Sequence, residues 1–229
     1  MTPDQLKLAR LAKDWSQQQA AARLGVSQPY LHMLETGKRR LTPALARKLA
    51  VAYGLAPDAL PLAEGFQPSV VPQDDLVESL AKAGYPGFGY LRTRGAGKNP
   101  LELLLLALSQ PALEPRVAEA LPWLLLRYGR DTDWLVAQAR QHNLQNRLGF
   151  VVNLARQLSA RDPQAAHRTK ALRALESALE ESRLAKQDVF YRPPRTPGER
   201  EWLEQNRPEE ARHWNLLSDM TPAHLQYAG

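Results

Sequence analysis

Residues 16–37 read Ser16-Gln-Gln-Gln-Ala-Ala-Ala-Arg-Leu-Gly-Val-Ser-Gln-Pro-Tyr-Leu-His-Met-Leu-Glu-Thr-Gly37, and this stretch decides the fold. Ser16 with Gln19 three residues on is a capping-box pattern, which opens a short helix through Ala20, Ala21, Ala22 and Leu24. Gly25 stops that helix, because glycine enters a left-handed turn barred to most side chains. Ser27 then caps a second helix, and Pro29 is tolerated in its first turn, where a missing N–H costs little. Val26, Leu31 and Leu34 form an inward apolar set, Ala20 is small where two helices must pack closely, and Thr36-Gly37 ends the segment. Short helix, glycine turn, second helix is the order a helix-turn-helix requires.

The flanks extend the pattern. Upstream, Thr2 as N-cap, Pro3 at the first helical position and Gln5 predict a helix carrying Leu6, Leu8, Ala9, Leu11 and Ala12, ending near Lys13-Asp14. Downstream, Thr42-Pro43 opens a helix with Leu45, Leu49 and Ala52 that stops near Gly54, and Asp58-Ala-Leu60 supplies a short fifth turn. Residues 1–60 hold nine Lys/Arg against four Asp/Glu, a charge of +5, whereas the other 169 residues carry about +1 of the total +6. A basic excess confined to one small segment is the footprint of a phosphate-binding surface.

The run SQQQAAARLGVSQPYLHMLETGKRR, preceded by Leu-Ala-Arg10 and followed by the Thr-Pro-capped helix, resembles the Xre/Cro-repressor family over about a quarter of the chain. The resemblance implies an all-α fold: a five-helix lambda-repressor-like DNA-binding domain over residues 1–60, followed by a larger all-helical domain. It also implies that the second helix of the motif enters the major groove of double-stranded DNA, with contacts from Ser27, Gln28, Pro29 and His32 and with Met33 at the margin. A glutamine can bond bidentately to adenine N6 and N7, which makes Gln28 the leading base contact. Ser27 and Gln17, each at the start of a helix, are expected at phosphates. Lys38, Arg39 and Arg40 are expected to neutralise backbone charge. Arg10 and Glu35 fall where this family often has a structural ion pair, so they are expected in the scaffold.

Residues 61–75 hold three prolines and a glycine without helical period and read as a linker. Beyond it, residues 76–229 are expected to form an all-helical domain for dimerisation, partner binding or effector binding. Helical patterns recur at about 74–83, 100–109, 115–128, 132–142, 144–160, 164–184 and 197–206, with shorter ones near 209–217 and 222–227, and no segment shows strand alternation. Trp123, Trp134, Trp202 and Trp214, with Tyr128, are expected to build its core.

Other chemistries find little support. The chain has no cysteine, which excludes disulfides, thiolate zinc sites, iron–sulfur clusters and a cysteine nucleophile. No apolar run approaches the roughly 20 residues a bilayer requires, and the N-terminus lacks a secretory pattern, so the chain is expected to stay in the cytoplasm. Gly95-Ala-Gly-Lys98 fails as a phosphate loop, because Arg92 and Asn99 stand where Gly and Ser/Thr are needed. Glu210 and His213 share a helical face but lack the partner ligands of a metal site. His142, Asn143, Gln145, Asn146 and Arg147 read as a buried hydrogen-bond network or a partner surface. No complete catalytic constellation is present, so neither enzymatic activity nor a cofactor or metal is expected. The leading expectation is a homodimeric transcriptional repressor that reads an inverted repeat and regulates its own gene. Two alternatives stay open: an antitoxin that binds a cognate toxin through its C-terminal domain and represses its own operon, since that half is weakly similar to long Xre-type antitoxins, and a regulator with an enzymatic C-terminal domain.

Overall fold

The computed structural model describes residues 2–63, 65–95, 97–161 and 166–225. It opens with α1 (Pro3–Leu11), α2 (Gln17–Leu24), α3 (Gln28–Glu35) and α4 (Pro43–Tyr53). Each begins at a hydroxyl that accepts a backbone N–H two or three residues inside the helix. Thr2 and Gln5 bond reciprocally, as do Ser16 and Gln19, while Ser27 accepts from Tyr30 N at 3.3 Å and Thr42 from Leu45 N at 3.4 Å. Such caps satisfy donors that the helix itself cannot, each contributing about 1 kcal/mol. Gly25 closes α2 at φ 67°, the left-handed conformation expected of it. Leu6, Ala20, Leu24, Leu31, Leu34, Leu49 and Tyr53 are buried together beneath the four helices. The fifth element is a single 3-10 turn, Pro57–Ala59, after which Leu60 returns to extended backbone.

The chain divides into two units: Met1–Ala63 with Thr93–Asn99, and Glu64–Arg92 with Pro100–Gly229. The return of residues 93–99 to the first unit is absent from the sequence reading. Asn99 helps to fasten it: its buried Nδ2 donates to the Leu60 carbonyl at 2.7 Å, a long-range bond with no sequence period. The stretch expected as a linker is, from Phe66 onward, tied into the second unit. Phe66 is buried edge-on against Trp134 and His142, and His142 Nε2 lies 2.9 Å from the Phe66 carbonyl. Gln110 holds the Ser69 carbonyl and the Val71 N–H, at 2.8 and 3.1 Å.

The second unit comprises α5 (Gln73–Lys82), α6 (Pro100–Leu108), α7 (Pro115–Tyr128), α8 (Thr132–Gln141), α9 (Gln145–Ser159), α10 (Ala166–Glu180), α11 (Pro197–Asn206) and α12 (Glu209–His213). Leu103 to Leu108 are buried on every side of α6, as an all-apolar run must be, with α5, α7, α8 and α9 packed around it. The α9–α10 pair is latched by Glu176, which accepts from Asn153 and Arg156, both at 2.7 Å. The polar group at 142–147 is an internal network. Arg147 grips Asp188 through two bonds of 2.6 and 3.0 Å and donates to the carbonyls of Leu108 and Gln110, while Asn146 exchanges two bonds with the Leu184 backbone.

Several expected elements differ. The segment 209–217 divides into α12 and a strand, β2 (Leu216–Leu217), which pairs in parallel with β1 (Asp188–Val189). Two residues are too few to show alternation, so no strand signal existed to read. A 3-10 turn at Pro222–His224 replaces the helix expected at 222–227, of which residues 226 and 227 lie outside the described residues, as do 164 and 165 of the one expected at 164–184. Trp214 is fully buried, but Trp202 is 52% exposed, because α11 buries only Leu203. No helix among the described residues is long and apolar enough to cross a membrane.

Trp214 is buried because α9 carries glycine opposite it: a Cβ at Gly149 would lie 2.5 Å from Cζ2 and Cζ3 of the indole. Gly149→Ala is therefore expected to lower stability by about 1–3 kcal/mol through overpacking. Urea denaturation measures this, and an unchanged midpoint would refute the contact.

Candidate nucleic-acid interface

The first unit is organised around one buried ion pair. Arg10, in the last turn of α1, directs Nε and Nη2 to the two carboxylate oxygens of Glu35, at 2.7 and 3.1 Å, and Nη1 to the Trp15 carbonyl at 2.7 Å. The side chains are 8% and 2% exposed. Glu35 also accepts from Gln17 Nε2 at 2.8 Å. One carboxylate at the end of α3 thus joins α1, the start of α2 and the connection between them. Burial alone would push the Glu35 carboxyl up, but the hydrogen bonds from Arg10 and Gln17, with the charge of Arg10, hold it below its ordinary value. The bond to Glu35 raises the Arg10 guanidinium in turn, outweighing burial. Tyr53 is pushed up to about 12, mainly by burial and further by the Glu35 charge.

The ion pair, Leu31 and Leu34 occupy the inner side of α3, which leaves its outer side to solvent. Ser27, Gln28, Pro29 and His32 are all exposed there, and Met33 is half-buried beside them. Ser27 Oγ accepts from Tyr30 N, and its hydroxyl hydrogen can still donate. After α3, Thr36 Oγ1 donates to the His32 carbonyl at 2.8 Å and Arg39 N to the Met33 carbonyl at 3.2 Å. These bonds shape the loop that carries Lys38, Arg39 and Arg40, all exposed.

Gln17 opens α2, as expected, and has a further partner. Its amide, expected at a phosphate, donates to Glu35 and so belongs first to the scaffold. An amide nitrogen has two N–H groups, and the bond to Glu35 uses one. The two residues are 18 apart in sequence, so no local spacing exposed the link. A second feature that the sequence reading missed is the guanidinium of Arg23, which lies 4.1 Å from the centre of the Trp15 ring, while Trp15 itself packs on Tyr53. Outside this unit, Glu210 accepts from Gln157 at 2.8 Å and His213 meets Glu180 at 2.7 Å, so the two are held by different partners.

Residues 6–60 match the protein-family model described as helix-turn-helix. This segment is a helix-turn-helix domain of the Xre/Cro type. No curated protein and no solved structure matches the chain. In the helix-turn-helix domain, α2 and α3 are the two helices of the motif and Gly25 lies in its turn. Such a domain is the DNA-binding module of a regulator.

The buried pair should dominate the domain's stability. Arg10→Ala or Glu35→Ala leaves a buried charge without its partner and is expected to cost roughly 3 to 5 kcal/mol, read from chemical denaturation. Because the Glu35 carboxyl is held below its ordinary value, its contribution is complete above the unfolded-state value, near pH 4.3, and disappears as pH falls through the lower folded-state value. The stability gap between the wild-type chain and Glu35→Gln should therefore be widest near neutrality and shrink in acid. A gap independent of pH would contradict the assignment.

Proposed function

We propose that the chain is a homodimeric transcriptional repressor in which two helix-turn-helix domains read an inverted repeat. The observation that carries this reading is the row Gln28, Pro29 and His32, exposed on a helix whose opposite side is pinned by Leu31, Leu34 and the Arg10–Glu35 pair. A helix held rigidly on one side and bare on the other suits insertion into a major groove, where side chains meet base edges without ordering new backbone. Gln28 serves as the bidentate adenine contact, and His32, one turn further on, reaches the adjoining step. Phosphates fall to the Ser27 hydroxyl, to the second amide N–H of Gln17, and to Lys38, Arg39 and Arg40. Dimerisation follows from affinity: one small module binds weakly, and joining two on one palindrome raises the effective concentration of the second without new contacts. Repression then requires only that the bound dimer cover promoter DNA, including that of its own gene, with the second unit providing dimerisation and the response to a partner or signal.

Footprinting of the purified protein on the DNA upstream of its own gene tests this reading. The expected result is a protected inverted repeat with half-sites about 34 Å apart or a multiple of that distance. On that site Gln28→Ala should cost about 1 to 3 kcal/mol while leaving binding to random DNA unchanged. Lys38→Ala should weaken both and reduce the slope of log K against log salt by about 0.9. Equal binding of the wild-type chain and Gln28→Ala across a set of site variants would rule out the base contact.

A further inference from the structure

Residues 93–99 pack with the helix-turn-helix domain, although the chain on both sides of them belongs to the second unit. This strap, Thr93-Arg-Gly-Ala-Gly-Lys-Asn99, carries two cations and no acid, and no Asp or Glu occurs in the sequence between Glu78 and Glu102. It therefore brings only positive charge to a domain that already holds +5 over residues 1–60.

Two contacts place the strap on that domain. Asn99 donates to the Leu60 carbonyl at 2.7 Å. Pro61, the next residue, lines one cavity of about 300 Å³ with Arg39, Arg40 and Leu41, and with Thr2 and Pro3 at the start of α1. The strap is thus anchored next to the loop that follows α3, and Lys98 stands one residue, about 3.8 Å of backbone, from the anchor. Arg94 and Lys98 are both exposed. Between them Gly95, also exposed, takes a left-handed φ of 82°, and a Cβ there would meet no atom within 4 Å. The strap so presents bare backbone together with two cations.

Duplex DNA is the partner this pattern fits. Its phosphates repeat along both strands that border the groove, about one negative charge per 1.7 Å of helix axis, so cations beside a reading helix meet backbone whatever the base sequence. We propose that the strap is a second phosphate-binding element, in which Arg94 and Lys98 hold the DNA backbone alongside the contacts of Lys38, Arg39 and Arg40. The proposal rests on the reading of α3 as the helix that enters the groove. Because Pro100 opens α6, the contact also connects bound DNA, through the chain itself, to the central helix of the second unit.

Fluorescence anisotropy of random-sequence duplex DNA, titrated with the full chain over a range of salt concentrations, tests the strap, since phosphate contacts need no specific site. In the double variant Arg94→Ala, Lys98→Ala the slope of log K against log salt should fall by about 1.8, two contacts at about 0.9 each, and affinity at low salt should drop roughly tenfold. The exchange Arg94→Lys, Lys98→Arg keeps both charges and should keep the slope. Both variants should melt with the wild-type chain, because the substituted side chains are exposed. An unchanged slope in the double alanine variant, with Lys38→Ala still lowering it, would overturn the strap contact and leave the recognition helix standing. An equal loss in the exchange variant would overturn it too. A wild-type chain that binds no duplex DNA would overturn both the strap contact and the reading beneath it.

Discussion

The helix-turn-helix domain depends on the carboxylate of Glu35. Four helices of eight to eleven residues are each too short to persist alone, since isolated helices below about 12 to 15 residues are marginal in water. Their shared apolar core supplies most of the stability, but its driving force is non-directional, and ridge-into-groove packing sets helix angles only loosely. The Arg10–Glu35–Gln17 cluster does, because a bidentate guanidinium–carboxylate pair tolerates little rotation and here receives donors from α1 and α2 on one acceptor at the end of α3. Its burial makes it a demanding constraint: leaving either charge without its partner costs more than the assembled pair contributes over an apolar substitute. The exposed row on α3 inherits its direction from this cluster, which ties the chemistry of the outer face to a group on the inner one.

The second unit solves the same problem by different means. Its middle is α6, buried on all sides, so its placement follows from apolar burial alone. The segments around it lack such patterns, and they are located by polar side chains that reach across long sequence separations. Arg147 binds Asp188 and two carbonyls, that of Leu108 at the end of α6 and that of Gln110 just beyond it, groups that the helix cannot satisfy internally. Asn146 clasps the backbone at Leu184, and Gln110 the backbone at residues 69 and 71.

Local chemistry made much of this legible in advance. The capping boxes at Thr2 and Ser16, the hydroxyl caps at Ser27 and Thr42, and the turn at Gly25 each act within a few residues, so their spacing survives in the sequence. The exposed and buried sides of α3 follow from the 3.6-residue period for the same reason. The strap at 93–99, the β1–β2 pairing, the second role of Gln17 and the exposure of Trp202 were not legible. Each depends on a partner 13 or more residues away, or on how little of a helix its neighbours cover.

By itself, then, the sequence determined the helix-turn-helix, its helix boundaries and the identity of the side chains on its outer face, because caps, turns and amphipathic period are encoded within single helical turns. Only the tertiary structure decided that Gln17 shares the carboxylate of Glu35 and that residues 93–99 return to the first unit. Those features arise where separate elements come together, and the contacts that bring them together are set by packing across long loops, which leaves no periodic trace in the chain.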